Sequence, residues 1–228
     1  MFKKKNKILV VILARAGSIR LKNKNLRKIN NKNLVSITID FAKTLFNKND
    51  ILLSTDSNVI LNEGLRSGIL APWLRPKKLS GRYSNPIKSI LHAVNWYSNY
   101  FSNDKDSVLL LQPTSPFRSL AYIKRIIFNY KKYKNRYSFI SITPIHLMQK
   151  ENFNTNILVD FDKNNFINLN RKGCFFINGS AYISSIRFLQ KYHSFYKKKY
   201  SKGILNLNKK NSLDIDTYND LKIARKYE

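Results

Sequence analysis

Two groups of charged residues, near opposite ends of the chain, are of the types that handle phosphate. Near the amino end, Arg15, Arg20, Lys22, Lys24 and Arg27 crowd a loop that also holds Ala14, Ala16, Gly17 and Ser18. Such a loop, following a buried strand, can turn backbone N–H groups and cationic side chains onto one small anion, most often a phosphate. Near the carboxyl end, Asp214 and Asp216 stand one residue apart, so in an extended chain both carboxylates lie on one face. Adjacent carboxylates repel unless something neutralises them, and in a phosphate site a divalent ion with oxygen ligands, usually Mg²⁺, is the expected partner. Each group also has a plainer reading. The loop can be a basic surface turn, and Asp216 or Thr217 can cap the helix that contains Asp220.

Two further polar clusters follow apolar runs. In Ser54-Thr55-Asp56-Ser57, Asp56 is a candidate cap for a helix beginning after Ser57. In Gln112–Arg118, Pro113 and Pro116 impose a rigid turn that suits a structural corner or a sugar-facing wall. Gln112 there is either a satisfied buried amide or a ligand contact. His92, His146 and His193 show no metal-ligand spacing, and Cys174 is the only cysteine, so no disulfide forms within the chain.

These clusters need a scaffold, and the apolar pattern describes one. Ile8–Leu13, Ile51–Leu53, Val108–Leu111 and Phe139–Ile142 are short unalternating runs, as expected of strands buried on both faces. Between them, Leu34/Ile37/Phe41/Leu45, Ile87/Ile90/Leu91/Val94/Trp96 and Ile123/Ile126/Ile127/Tyr130 form apolar stripes of helical period. Alternating strand and helix predicts an α/β fold, a mostly parallel sheet between helical layers, with ligands beyond the carboxyl ends of the strands. Residues 144–183 break the rhythm with short strand-like pieces at Ile157–Phe161, Phe166–Leu169 and Cys174–Ile177, which predicts an antiparallel excursion. A helix near Ser185–Tyr192, a strand near Ile204–Leu207 and a helix from Thr217 complete the pattern.

The 228 residues read as one domain. Met1–Lys7 followed by Ile8–Ala14 mimics a signal peptide, but the apolar core is short and Arg15 follows where a small-residue cleavage site is expected, so a first strand is the better assignment. No apolar run reaches the roughly 20 residues of a membrane span, and a cytoplasmic protein is the expectation. The formal net charge of +29, from 42 Lys and Arg against 13 acids, has two competing sources. One is compositional drift and the other is attraction to a polyanion; either way, nonspecific nucleic-acid binding is expected.

In order along the chain, the motifs resemble those of the acylneuraminate cytidylyltransferases, the CMP-sialic acid synthetase family. The matching stretches are Leu-Ala-Arg-Ala-Gly-Ser (13–18), Lys-Asn-Leu-Arg-Lys-Ile-Asn (24–30), Leu-Ser-Thr-Asp-Ser (53–57) and Leu-Arg-Pro-Lys-Lys-Leu (74–79). Leu-Leu-Gln-Pro-Thr-Ser-Pro-Phe-Arg (110–118), Asn-Gly-Ser-Ala-Tyr-Ile (178–183) and Asp-Ile-Asp-Thr-Tyr-Asn-Asp-Leu (214–221) complete the series. The resemblance implies a three-layer nucleotidyltransferase fold over residues 1–228, usually a homodimer in which residues 144–183 pack on the partner. It implies that CTP and an acidic keto-sugar react to give a CMP-sugar and pyrophosphate. By motif, Ala14, Arg15, Ala16, Gly17 and Ser18 hold the triphosphate with Lys24 nearby, and Asn25 and Arg75 contact the cytidine part. Gln112, Arg171, Asn178 and Tyr182 serve the sugar, and Asp214 with Asp216 binds Mg²⁺. Arg15, Lys24 and Asp216 are the expected catalytic groups.

The chain also departs from that family's pattern. Gly81-Arg82 stands where a Ser/Thr-Asp pair is usual, Ile19 and Arg20 replace a basic residue and Gly, and Phe176 replaces an Arg. His146 and Lys150 match a sugar-binding segment only roughly. These departures fall mostly in the sugar half. They keep open an alternative, a catalytically weakened transferase fold serving as a basic nucleotide- or RNA-binding module.

Overall fold

The computed structural model describes residues 7–101, 105–133, 136–144, 147, 158–161 and 173–227. Its main sheet has the strand order β4-β1-β5-β8-β6-β9, built from β1 (Ile8–Leu13), β4 (Ile51–Ser54), β5 (Ser107–Leu111), β6 (Ser138–Pro144), β8 (Gly173–Ser185) and β9 (Ser201–Leu205). β7 (Leu158–Phe161) pairs with the first part of β8. β1 runs parallel to β4 and β5, and β6 parallel to β9, while β8 is antiparallel to both its main neighbours.

The apolar runs are continuous because each strand is covered on both faces. In β1, Ile8, Val10 and Ile12 pack on one face with α1 (Leu34–Lys43), α2 (Asn58–Arg66) and α4 (Leu120–Lys132), through Val35, Ile39, Ile60, Ile123 and Ile126. The intervening Leu9 and Val11 pack on the other face with α3 (Pro86–Tyr100) and α5 (Ile186–Tyr192), through Ile90, Ala93 and Leu189. The two-residue alternation of a strand thus distributes one hydrophobic run between two cores.

Each helix start is fixed by a side-chain cap. Asn33, Ser57, Asn85, Ser119 and Ser185 each accept from a backbone N–H of the first turn of α1 to α5. At α6 (Tyr218–Lys226), Thr217 and Asp220 form a reciprocal capping box. Ser57, not Asp56, caps α2, because the Asp56 carboxylate is occupied elsewhere. Between β1 and α1, Asn30 and Asn31 take positive φ values of 44° and 60° and close a hairpin of β2 (Lys28–Ile29) and β3 (Lys32–Asn33). Asn tolerates that backbone region, which suits a two-residue turn.

The excursion differs from its expectation in one respect. Its last strand, β8, is a 13-residue strand that enters the main sheet between β5 and β6 instead of remaining peripheral. Each residue of β8 from Tyr182 to Ser185 pairs with β5, so burial of both faces carries the strand past Ile177. The Phe166–Leu169 piece lies outside the described residues. β9 begins and ends earlier than expected because its pairing starts at Ser138↔Ser201, and beyond it the Asn206 side chain turns the chain by accepting from Asn208 N. Among the described residues, no helix is long and apolar enough to cross a membrane.

One buried ion pair tests the α3 side of the sheet. Lys105 Nζ lies 2.6 Å from Asp50 Oδ1, with both side chains almost fully buried, and sits over the Tyr97 ring. Breaking a buried pair from one side costs about 3–5 kcal/mol, because the remaining charge stays desolvated. Lys105→Met is therefore expected to lower unfolding free energy by about that amount in urea denaturation, while Lys105→Met combined with Asp50→Leu recovers a large part of it.

Candidate functional site

The loop leaving β1 is pinned from within. Ala14 N donates to Ser54 O (3.1 Å), Ala16 N to Asp56 Oδ1 (2.8 Å) and Ser18 N to Ala16 O (2.8 Å). Asp56 thus braces the loop from the end of β4. Three of the backbone donors between residues 14 and 18 already have acceptors inside the protein. What this segment offers to a ligand is mainly side chains: Arg15 and Ser18 line the adjoining cleft, whereas buried Ala14 and exposed Ala16 and Gly17 are not part of its lining.

A single 3₁₀ turn, Lys24–Leu26, follows. Asn25 is buried within it and donates from Nδ2 to Arg15 O at 2.8 Å, so it also orients the loop that carries Arg15. Arg75 reaches the same cleft from beyond β4, anchored by its N–H on Thr55 O (2.6 Å) and by Nε on Ser80 Oγ (3.1 Å). Burial lowers the Arg75 pKa, the nearby Asp56 partly restores it and Arg15 lowers it further. Arg15 Nη1 donates to Gly81 O (3.1 Å), which draws the Gly81–Ser84 segment along the rim.

Across the cleft stand the acids. Lys24 Nζ lies 2.8 Å from Asp216 Oδ1 and Arg20 Nη2 lies 3.1 Å from Asp216 Oδ2. Asp214 and Gln112 line the same cleft, whose volume is about 740 Å³. That is ample for a nucleotide. The chain ends meet here because Leu21 and Ile29 share a hydrophobic cluster with Leu213, Ile215, Leu221 and Ala224, and Ile215 N donates to Thr114 O at 2.7 Å.

The remaining sequence-predicted residues lie deeper or outside. Asn178 is buried in a polar network. It donates to Thr143 Oγ1 (2.7 Å), accepts from Ser141 Oγ and Ser180 N, and its carbonyl accepts from Ser115 Oγ (3.1 Å). It supports the wall behind Gln112 and is not part of the cleft lining. Tyr182 is half-buried with its ring 5.2 Å from that of Phe195; burial and then the Asp214 carboxylate push its phenol pKa up. Arg171, His146 and Lys150 lie outside the described residues. His92 packs edge-on to Trp73, and burial together with Arg75 and Lys78 lowers its pKa, as suits a neutral structural ring.

Two residues gain importance only from the structure. Arg118, at the end of the Gln112–Arg118 motif, is part-buried and anchored three ways: Nε donates to Ser180 O (2.9 Å), Nη1 to Thr38 Oγ1 (3.3 Å) and Nη2 to Gln112 O. Burial lowers its pKa to about 9, Asp214 opposes that shift, and the guanidinium stays charged at neutral pH. Gly179 has a φ of +76°, and a Cβ there would lie 2.8 Å from both Gln112 Oε1 and Ser115 Oγ. The motifs contain both residues, but neither burial nor close approach has a sequence mark.

Chemically, the cleft presents Arg15, Lys24, Arg75 and Arg20 to an anion, and Asp214 with Asp216 as the carboxylates that could hold a divalent cation. A polyphosphate and its counter-ion are what such a site suits.

Residues 9–225 match a family model described as cytidylyltransferase. A CMP-N,N'-diacetyllegionaminic acid synthase of Legionella pneumophila is 32% identical over 96% of this chain and 95% of its own. An N-acylneuraminate cytidylyltransferase of Escherichia coli is 28% identical over 96% of this chain, which spans 52% of that protein. Among solved structures, a CMP:2-keto-3-deoxy-manno-octonic acid synthetase complexed with CTP shares the fold, with a TM-score of 0.71, 14% identity and coverage of 97% and 98% of the two chains.

Gly179→Ala should be costly on both counts, forcing a Cβ into the left-handed region and against Gln112. A loss of about 1–3 kcal/mol is expected for the backbone alone, read as a lower midpoint in denaturant. An unchanged midpoint would mean that this wall is not closely packed.

Proposed function

Because the chain belongs to the cytidylyltransferase family, we propose that it transfers the cytidylyl group of CTP to a sialic-acid-like nonulosonic acid, giving the CMP-sugar and pyrophosphate. The observation that carries this reading is the meeting of Arg15 and Lys24 with Asp214 and Asp216 in one cleft, at the carboxyl end of the parallel strands. The relatives that support the substrate class act, by name, on legionaminic and acylneuraminic acids.

The chemistry is an in-line displacement: the anomeric hydroxyl of the sugar attacks the α-phosphate, and the bond to the β-phosphate breaks to release pyrophosphate. Arg15 and Lys24 neutralise charge on the triphosphate, where such preorganised cations lower the barrier most. Ser18 adds a hydroxyl donor. Arg75, Asn25 and Gln112 line the cleft, and the family resemblance gives the first two to cytidine and Gln112 to the sugar. Arg118 holds the carbonyl of Gln112 and therefore acts as a positioning residue.

Mg²⁺ fits the carboxylate pair. Both are hard oxygen donors, and Mg²⁺ characteristically takes one or two carboxylates and completes its shell with phosphate oxygens and water. When bound it would withdraw charge from the phosphates. We further propose that the enzyme works in the cytoplasm, and as a homodimer whose partner contact is drawn from the 144–183 excursion, as the family resemblance implies.

The purified chain with CTP and Mg²⁺ should release pyrophosphate in the presence of a nonulosonic acid from a panel of sialic, legionaminic and pseudaminic acids. Asp216→Asn should reduce that release by about 10²–10³-fold, as removal of a transition-state electrostatic partner does, with the far-UV circular dichroism unchanged. Tight RNA binding at physiological salt, without pyrophosphate from any sugar, would instead support the basic binding module.

A further inference from the structure

The cations around the acid pair differ in how firmly they are held. Arg118, part-buried near Asp214, has its donors fixed on Gln112, Ser180 and Thr38. Lys24 meets Asp216 with its side chain only 17% exposed. Arg20 meets the same carboxylate with its side chain 48% exposed, on a loop position between exposed Ile19 and buried Leu21. Among the described residues, Arg20 has no hydrogen bond other than the one to Asp216. It also lines the cleft shared by Arg15, Ser18 and Lys24.

Charge arithmetic gives this arrangement a consequence. Two carboxylates stand among Arg118, Lys24 and Arg20, with Arg15 across the cleft, so a divalent cation entering alone meets no net negative charge. A triphosphate supplies the missing anion. It also offers guanidinium a better partner than a carboxylate already shared with an ammonium.

We propose that Arg20 is a displaceable counter-ion of Asp216, holding that carboxylate until nucleotide arrives and then moving to the triphosphate as the cation takes its place. The inference rests on the nucleotide reading of the cleft and adds a coupling to it. Cation and nucleotide bind cooperatively because one side chain cannot serve Asp216 and phosphate at once. Arg20 replaces the Gly usual at this point of the motif, so the coupling belongs to this chain's own sequence.

The test uses Mn²⁺ as the probe, measured by titration of the full chain with and without CTP, in the absence of sugar and with the Mn²⁺–CTP complex alone as blank. Without CTP, Arg20→Ala should bind Mn²⁺ about tenfold more tightly than the wild type, within the usual range of coupling between sites. Arg20→Lys should behave as the wild type, and Arg20→Ala combined with Asp216→Asn should lose the gain. With CTP, the wild type and Arg20→Ala should converge to within about threefold, as expected once the competitor has left. Should Arg20→Ala fail to fold, Arg20→Gln carries the same comparison.

Equal Mn²⁺ affinity of wild type and Arg20→Ala without CTP, with both taking up Mn²⁺ when CTP is added, would overturn the role of Arg20 and leave the cytidylyltransferase reading standing. Failure of the wild type to take up Mn²⁺ with CTP would overturn the nucleotide reading, and this inference with it.

Discussion

The contact between Lys24 and Asp216 joins residues 192 apart in the chain and marks where the cleft closes. An ion pair alone could not hold it. Partly exposed pairs contribute little after side-chain ordering and screening by salt. The closure comes instead from apolar packing beneath it, where Leu21, Ile29 and Leu34 meet Leu213, Ile215, Leu221 and Ala224. Burial of several such side chains is worth far more than one part-buried pair.

The parallel sheet delivers the other components. β1 and β4 end side by side, with Leu13 paired to Ser54, so the basic loop and the Ser54–Ser57 turn leave the sheet together. Asp56 exploits that proximity by accepting from Ala16 N, and Arg75 returns to pair with Thr55. β5 ends in the Gln112–Arg118 turn, and Arg118 links that turn to β8 through Ser180. Even partial burial of a guanidinium costs desolvation, so its role is best understood as specificity of arrangement. It fixes Gln112, Ser180 and Thr38 relative to one another beside Asp214.

The antiparallel strand β8 unites structural and functional demands. Its second half fills the gap between β5 and β6, while Asn178 and Gly179 interrupt its side-chain pattern where the register with β6 shifts. Asn178 satisfies buried donors and acceptors that an irregular strand would otherwise leave unpaired. Gly179 leaves room for Gln112 and Ser115. The polar interior behind the cleft is therefore a supporting layer, and it explains why residues outside the lining recur in the same motifs as residues within it.

Local pattern was enough to identify β1, β4, β5, β6 and the helices, because burial of strands on two faces and of helices on one leaves a periodicity readable in any short window. It was enough, too, to single out Arg15, Lys24 and Gln112 after apolar runs and the Asp214–Asp216 pair before the last helix, all of which line one cleft. Other features depended on partners distant in sequence. Whether Asp56 caps a helix or braces a loop is settled by where Ala16 lies, 40 residues away. Whether Asn178 faces ligand or interior is settled by Ser141 and Thr143 on a neighbouring strand. Arg118 is an unremarkable basic residue until Ser180, Gln112 and Thr38 surround it. Composition and spacing specify what a side chain can donate or accept, but only the folded chain brings the complementary atom within reach.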